Sequence, residues 1–241
     1  MKKALIVGGS NGIGLSIALQ LNGYDRIFIV DKAEPSVDLP AHINYEQFDL
    51  QQQDYSVFDK YRDVSLLMVT AGFGKLALFD EVSEQYIIDS FNVNAISTIR
   101  LIRHFYDRLK GSDDFLCGVM VSIAGFMSSP FLAVYGATKA ALKIFIESVN
   151  VELEMAGSAN RILNVSPGSI PGTRFNGGAN NLSLTRPLAQ EIISHLEAKD
   201  DLFIPQYEEV YREVLARYQQ DFRAEGRHSY EYKLKSGRIR Q

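Results

Sequence analysis

Residues 4–14 read Ala4-Leu5-Ile6-Val7-Gly8-Gly9-Ser10-Asn11-Gly12-Ile13-Gly14, and the fold turns on them. The apolar run at their start forms a short strand buried on both faces. A glycine-rich turn follows, then a helix from about 12 to 21 whose apolar stripe is Ile13, Ile17, Ala18 and Leu21. Gly8, Gly12 and Gly14 stand where a Cβ would block tight bending and the close approach of a pyrophosphate. The helix start behind them, from Ser10 and Asn11 through Ile13, offers N–H groups and partial positive charge to phosphates. The plain alternative is a tight strand–helix turn with no ligand. A strand before, a helix after and an acid beyond the next strand favour a dinucleotide site.

That acid is Asp31, 17 residues after Gly14. A carboxylate there accepts hydrogen bonds from both ribose hydroxyls of NAD and repels a 2′-phosphate. NAD is therefore favoured as cofactor, and NADP is not excluded, because Lys32 next door offsets part of the repulsion. The alternative for Asp31 is a cap or turn residue. Asp49, with Leu50 beside it, follows the third strand and is placed to accept from the adenine amino group. Thr70-Ala71-Gly72 follows the fourth strand and would bring backbone to the adenosine ribose. Turn chemistry alone also accounts for either stretch.

Outward from this start, strands at 26–30, 45–48, 65–69, 115–121 and 161–165 alternate with long helices at 83–109 and 133–155. Continuous apolar strands alternating with helices give an α/β fold, a parallel sheet with helices on both faces. No repeat and no composition shift divides the chain, so residues 1–241 read as one domain. The Asn- and Gly-rich stretch 174–186 reads as a mobile lid. A short helix at 188–196, a strand at 201–204 and a helix at 206–222 follow, the last opening a C-terminal extension over 206–241.

Composition excludes several classes. The 241 residues carry 25 Lys and Arg against 29 Asp and Glu, a net charge of −4, with 46% hydrophobic and 22% charged residues. That is neither a disordered chain nor a basic nucleic-acid coat, so no nucleic-acid partner is expected. Apart from the run at 4–7, the N-terminus has no apolar core of the length a secretion signal needs, and no stretch approaches a membrane span. The lone cysteine, Cys117, fits a reducing cytosol, and the expectation is a cytoplasmic protein without a membrane partner.

Tyr135 and Lys139 are four residues apart at the start of a helix and share one face. An ammonium beside a phenol favours the phenolate, which would lower the Tyr135 pKa and make it a proton donor and acceptor near neutral pH. Tyr106 and Lys110 have the same spacing and read as a helix-surface pair. Upstream residues separate the two pairs. Ser122 lies 13 residues before Tyr135, just past a buried strand, whereas Val93 holds that place before Tyr106. Asn94 adds a polar group inside an otherwise apolar helical stretch, where solvent exposure or a backbone bond is the plain alternative.

With these residues in view, the sequence resembles the short-chain dehydrogenase/reductase family in its short, single-domain form. The matching stretches are residues 7–14, Asn92-Val93-Asn94-Ala95, Ser122-Ile123-Ala124-Gly125, Tyr135-Gly136-Ala137-Thr138-Lys139 and Pro167-Gly168, in family order and spacing. The resemblance implies a doubly wound Rossmann fold and an oxidoreductase that moves a hydride between a nicotinamide cofactor and a carbonyl or alcohol substrate. Tyr135 would be the general acid/base. Lys139 would tune it and bind the nicotinamide ribose. Ser122 would hold the substrate oxygen, and Asn94 would anchor a proton-relaying water. Pro167 and Gly168 would form the wall against the nicotinamide, with the Ile170 backbone reaching its carboxamide. The chain departs from the family at Val7, where Thr is usual and a structural hydrogen bond is lost. It departs again at Val69-Thr70, and at Gly172-Thr173, where the family's Thr comes one residue late.

Phe73, Phe126, Met127, Phe131 and Phe175 flank the expected site as an apolar wall or as plain packing. Arg174 and Arg186 bracket the lid and read as solvated. Apolar residues on two faces of 133–155, including Ala140, Ile144, Val151 and Met155 on the second, imply cover beyond the sheet. In the family this helix lies at a subunit interface, so a homodimer or homotetramer is expected. Six basic residues after position 222, among them Arg223, Lys233, Arg238 and Arg240, read as a solvated tail. The rival from another class is a non-catalytic NAD(P)-binding sensor or scaffold, which would bind cofactor without turnover.

Overall fold

In the computed structural model, which describes residues 1–176, 180–236 and 239, the apolar run at the N-terminus is an interior strand of a seven-stranded sheet. β1 (Lys3–Val7) pairs in parallel with β2 (Arg26–Asp31) on one side and β4 (Leu66–Val69) on the other. β3 (Ile43–Gln47) lies outside β2. β5 (Leu116–Met120), β6 (Ile162–Val165) and β7 (Leu202–Phe203) continue beyond β4, so the order is β3-β2-β1-β4-β5-β6-β7, all parallel. The direction of winding reverses between β1 and β4. The crevice outside their C-terminal ends is where such sheets bind ligands.

Alternate residues of each strand feed opposite layers. Leu5 and Val7 join Leu67, Val69 and Val119 on one face, closed by α3 (Ser97–His104) and α5 (Ala133–Met155). Ala4 and Ile6 join Ile27, Ile29 and Met68 on the other, closed by α1 (Gly12–Ala18) and α6 (Leu182–Ala198). Burial on both faces explains why these strands read as unbroken apolar runs. Each fully buried Leu or Ile contributes roughly 1.5–3 kcal/mol.

Three expectations change. The long helix expected at 83–109 is broken into α2 (Glu84–Phe91), a π turn at Asn92–Ile96, α3, and α4 (Tyr106–Lys110). The π turn sits at Asn94, which is fully buried, so the polar group inside the apolar stretch faces inward and not to solvent. The lid expected at 174–186 is in part helical. Arg174–Asn176 is a single 3-10 turn, residues 177–179 lie outside the described residues, and α6 already starts at Leu182. Asn181 caps it, accepting from the Ser183 N–H at 3.0 Å, so part of the Asn-rich composition that reads as loop is capping chemistry.

The third correction concerns the C-terminus, which is no solvated tail. A π turn at Tyr207–Tyr211 leads into α7 (Arg212–Gln220), and the chain then restarts as α8 (Phe222–Lys235). Asp221 makes the restart possible, its Oδ1 accepting the Arg223 and Ala224 N–H groups at 2.9 and 3.0 Å. Arg217 pairs with the buried Glu225 at 2.8 Å. Tyr230 stacks on Phe131 with ring centroids 4.5 Å apart. Lys233 Nζ donates to Ser129 Oγ at 2.7 Å and to the Pro130 carbonyl at 2.8 Å. Arg238 and Arg240 lie outside the described residues. Among the described residues, no helix is long and apolar enough to cross a membrane.

The Asp221 cap gives the first prediction. Asp221→Ala should cost about 1 kcal/mol and lower Tm by roughly 2–4 °C in a thermal melt. Asp221→Asn, which still accepts both bonds, should recover most of that loss.

Candidate active site

The turns after β1 and β4 touch. Gly8 has φ of +89°, and a Cβ there would stand 2.3 Å from the Ala71 nitrogen, so only glycine fits. The Ala71 N–H donates to the Val7 carbonyl at 3.1 Å, and Thr70 Oγ1 donates to the Gly8 carbonyl at 2.8 Å. Thr70 thus ties down the glycine turn in a chain whose Val7 has no hydroxyl with which to do so. Gly72 lies deeper, and a Cβ on it would stand 3.3 Å from Asn94 Oδ1 and 3.4 Å from Lys139 Nζ.

Asp31 ends β2 and faces this turn. Its Oδ2 accepts from the Ser10 N–H at 3.1 Å and from Ser10 Oγ at 2.6 Å, and its Oδ1 accepts from the Ala33 N–H at 3.3 Å. Asn11, the residue before α1, donates to Ser10 Oγ at 3.2 Å. The Gly12 N–H opens α1 and meets an acceptor, Asn180 Oδ1, at 2.9 Å. Ile13 and Gly14 complete the helix start. Thr173, although one place late in sequence, is the side chain nearest Gly12, and its hydroxyl donates to the Ile170 carbonyl at 3.0 Å. Asp49 Oδ1 accepts the Gln51 N–H at 3.0 Å in a local turn, while the Leu50 carbonyl accepts from Tyr55.

A dinucleotide fits these residues. The Gly12 N–H already holds an oxygen where a phosphate oxygen would be held. A carboxylate stands at the end of the neighbouring strand, as a ribose requires. Among the described residues, no group of His, Cys, Asp and Glu side chains is arranged to hold a metal ion.

The catalytic candidates converge where β5 ends and α5 begins. Ser122 lies just past β5, with its Oγ accepting the Ala124 N–H at 3.2 Å and donating to the Pro167 carbonyl at 3.4 Å. That carbonyl also accepts the Ile123 N–H at 3.0 Å, which fastens the Pro167-Gly168 wall to the Ser122 turn. Ser122 stands close enough to the Tyr135 phenol to favour its ionised form. Lys139, one turn on, is buried and donates to the Met120 carbonyl at 2.8 Å, with Nζ 5.6 Å from the centre of the Tyr135 ring. Asn94 is held from both ends. It accepts the Phe73 N–H at 2.9 Å, donates to the Phe73 carbonyl at 2.8 Å and reaches Thr138 Oγ1 at 3.3 Å. Its amide therefore fixes the chain after Gly72, beside Lys139.

The electrostatics correct one expectation. Tyr135 is not lowered by its lysine but pushed up to about 12, first by burial, against the Ser122 hydrogen bond that pulls it down. Burial also brings Lys139 down to about 7. The four-residue spacing makes the two neighbours, but both are buried, and desolvation penalises the charged form of each. The phenol is protonated, and the lysine titrates near neutrality.

Some neighbours were legible as flanking aromatics. Phe175 packs on Tyr135 with ring centroids 5.0 Å apart, and Phe73 meets Tyr86 edge-on at 5.8 Å. Tyr86 itself was missed. It accepts the Lys75 N–H at 2.7 Å and lines a narrow cleft with Phe79, Val82, Phe131 and Tyr135. Asn180 and Tyr211 were missed as well, and their sequence context carries no motif that would reveal them. A cleft of about 430 Å³ lies apart from this site, between the end of α1 and α6, and Arg186 lines it.

Lys139 supplies a stability prediction with a defined sign. Its folded pKa lies below the unfolded value of 10.5, so the unfolded chain binds more protons between about 7 and 10.5 and stability rises with pH through that window. Lys139→Met should raise Tm, and more at pH 6 than at pH 10. An equal shift at both values would contradict the burial argument.

The family model described as short chain dehydrogenase matches residues 2–181. A short chain dehydrogenase/reductase of Claviceps purpurea is 32% identical over 184 residues, 70% of this chain and 62% of that protein. A very-long-chain 3-oxoacyl-CoA reductase of Phaeosphaeria nodorum is 29% identical over 175 residues, 64% of this chain and 51% of that one. The matched region thus spans between half and two-thirds of these curated relatives. Among solved structures, a short chain dehydrogenase from Burkholderia cenocepacia in complex with NADP superposes with a TM-score of 0.72 at 20% identity, covering 90% of this chain and 98% of that one.

Proposed function

The chain belongs to the short-chain dehydrogenase/reductase family, and we propose that it is an NAD(P)-dependent oxidoreductase acting on a carbonyl or alcohol, with Tyr135 as general acid/base. The observation that carries this reading is the buried group at the crevice, in which Ser122 stands close to the Tyr135 phenol and Lys139 lies one helical turn away. When bound, the nicotinamide supplies or accepts the hydride. Tyr135 holds a proton at its phenol oxygen, because burial keeps it neutral. In reduction that proton passes to the substrate oxygen as the carbon gains the hydride, and Ser122 donates a hydrogen bond to the same oxygen. Lys139 titrates near neutrality and replaces the lost proton from within the site. Asn94 holds the chain after Gly72 in place beside it. Pro167 and Gly168 would wall the nicotinamide, with Ile170 and Thr173 placed to hold the same edge.

Asp31 supports a preference for NAD, since its carboxylate, fixed by Ser10, stands where a 2′-phosphate would be repelled. An oligomer is supported by the outer face of α5, where Ile144, Val151 and Met155 are exposed, and by exposed Ile88 and Ile96 on the α2–α3 stretch. We read these as a face covered by a second copy in a homodimer or homotetramer. The buried free thiol of Cys117 is consistent with a reducing, cytoplasmic setting.

The test is Tyr135→Phe, assayed by NADH oxidation over a panel of ketones and aldehydes. Turnover should fall by about 10²–10⁴-fold while NADH affinity holds. A wild-type protein that binds NADH yet turns over nothing would favour the sensor or scaffold reading.

A further inference from the structure

The wall at Gly168 is completed by a residue from the far end of the chain. A Cβ built on Gly168 would fall 1.7 Å from the Tyr211 hydroxyl oxygen and 2.8 Å from its Cζ. The phenol therefore takes the place that a side chain at position 168 would take. Gly168 follows Pro167, whose carbonyl accepts from both Ser122 and Ile123, so Tyr211 reaches the same wall that Ser122 is fastened to.

Nothing about this contact is relaxed backbone. Gln206, just before the π turn, has φ of +59°, and the Tyr211 N–H reaches back to the Gln206 carbonyl at 3.3 Å, the wide bond that a π turn makes. Such turns swing one side chain out of helical register. Tyr211 ends this turn. The segment that carries it is also anchored on the loop before α5. Phe131, a bulky residue with φ of +67°, lies under the Tyr230 ring, and Lys233 holds Ser129 and Pro130. Strain at Gln206 and Phe131 persists because contacts around them over-determine it. The C-terminal segment thus touches both the stretch to which Ser122 is bonded and the loop that leads into the helix of Tyr135.

We propose that Tyr211 is a specificity-determining residue of the substrate pocket, setting the bulk that a carbonyl or alcohol substrate can carry on the side facing Gly168. This rests on the oxidoreductase reading above. The substrate class it selects is slim on that side, an unbranched or small-ring carbonyl compound in preference to a bulky one. Among the described residues no hydrogen bond holds the Tyr211 hydroxyl, and burial raises its pKa, so it presents a neutral O–H.

Wild type, Tyr211→Phe and Tyr211→Ala would be compared on methyl ketones of increasing size, from butanone to naphthyl methyl ketone, with NADH as reductant. NADH titration and thermal melts would accompany each. In Tyr211→Ala, kcat/KM for the largest ketone should rise relative to the smallest by about tenfold or more. Tyr211→Phe, which keeps the ring, should hold the wild-type ratio. NADH affinity should be equal in all three. The same ratio in wild type and Tyr211→Ala overturns the proposal, and so does silence of both on the whole series while NADH still binds. Failure of the wild type to bind NADH overturns the oxidoreductase reading itself. Should Tyr211→Ala not fold, Gly168→Ala would drive a methyl into the phenol oxygen. Adding Tyr211→Phe should then restore part of the lost kcat/KM, and no restoration counts against the proposal.

Discussion

Burying Lys139 beside Tyr135 is the constraint on which the site depends. The lysine has one acceptor, the Met120 carbonyl, and no carboxylate among the described residues pairs with it. An ammonium held so is expensive, and the fold accommodates it by bringing the group to the point of deprotonation. The phenol is driven the other way by the same desolvation. Both effects come from where the sheet ends and α5 begins, because Ser122, Met120 and the first turns of α5 enclose the pair. The chemistry proposed for the site is thus a consequence of packing.

The dinucleotide half depends on a second close approach, the contact of the β1 and β4 turns at Gly8 and Ala71. Strand order brings these turns together, and Thr70 fastens them. The two halves meet at Gly72, which adjoins Asn94 and Lys139. Displacing either turn would therefore disturb both the cofactor crevice and the proton donor.

Legibility in the sequence followed burial. Strands covered on both faces read as apolar runs, and 4–7, 65–69 and 115–121 all appear in the sheet, within a residue or two of their ends. The glycine turn, Ser122, Tyr135 and Lys139 were legible because each couples a residue type to a fixed distance along an element. What spacing cannot give is the dielectric around a pair, so the direction of the Tyr135 shift was misread. The C-terminal helix was hidden for a different reason. Its docking rests on few side chains, Tyr230 and Lys233 on the loop before α5 and Glu225 on Arg217 of α7, set in a highly charged stretch, and charge reads as solvent. The π turns at 92–96 and 207–211 leave no local signature, yet they place Asn94 and Tyr211.

The most direct measurement is a parallel titration of the protein with NADH and NADPH, followed by coenzyme fluorescence against the low background of a chain without tryptophan. The account predicts a saturable response to NADH and a weaker one to NADPH. Preference for NADPH would contradict the role given to Asp31 alone, and no saturable response to either coenzyme would contradict the account as a whole.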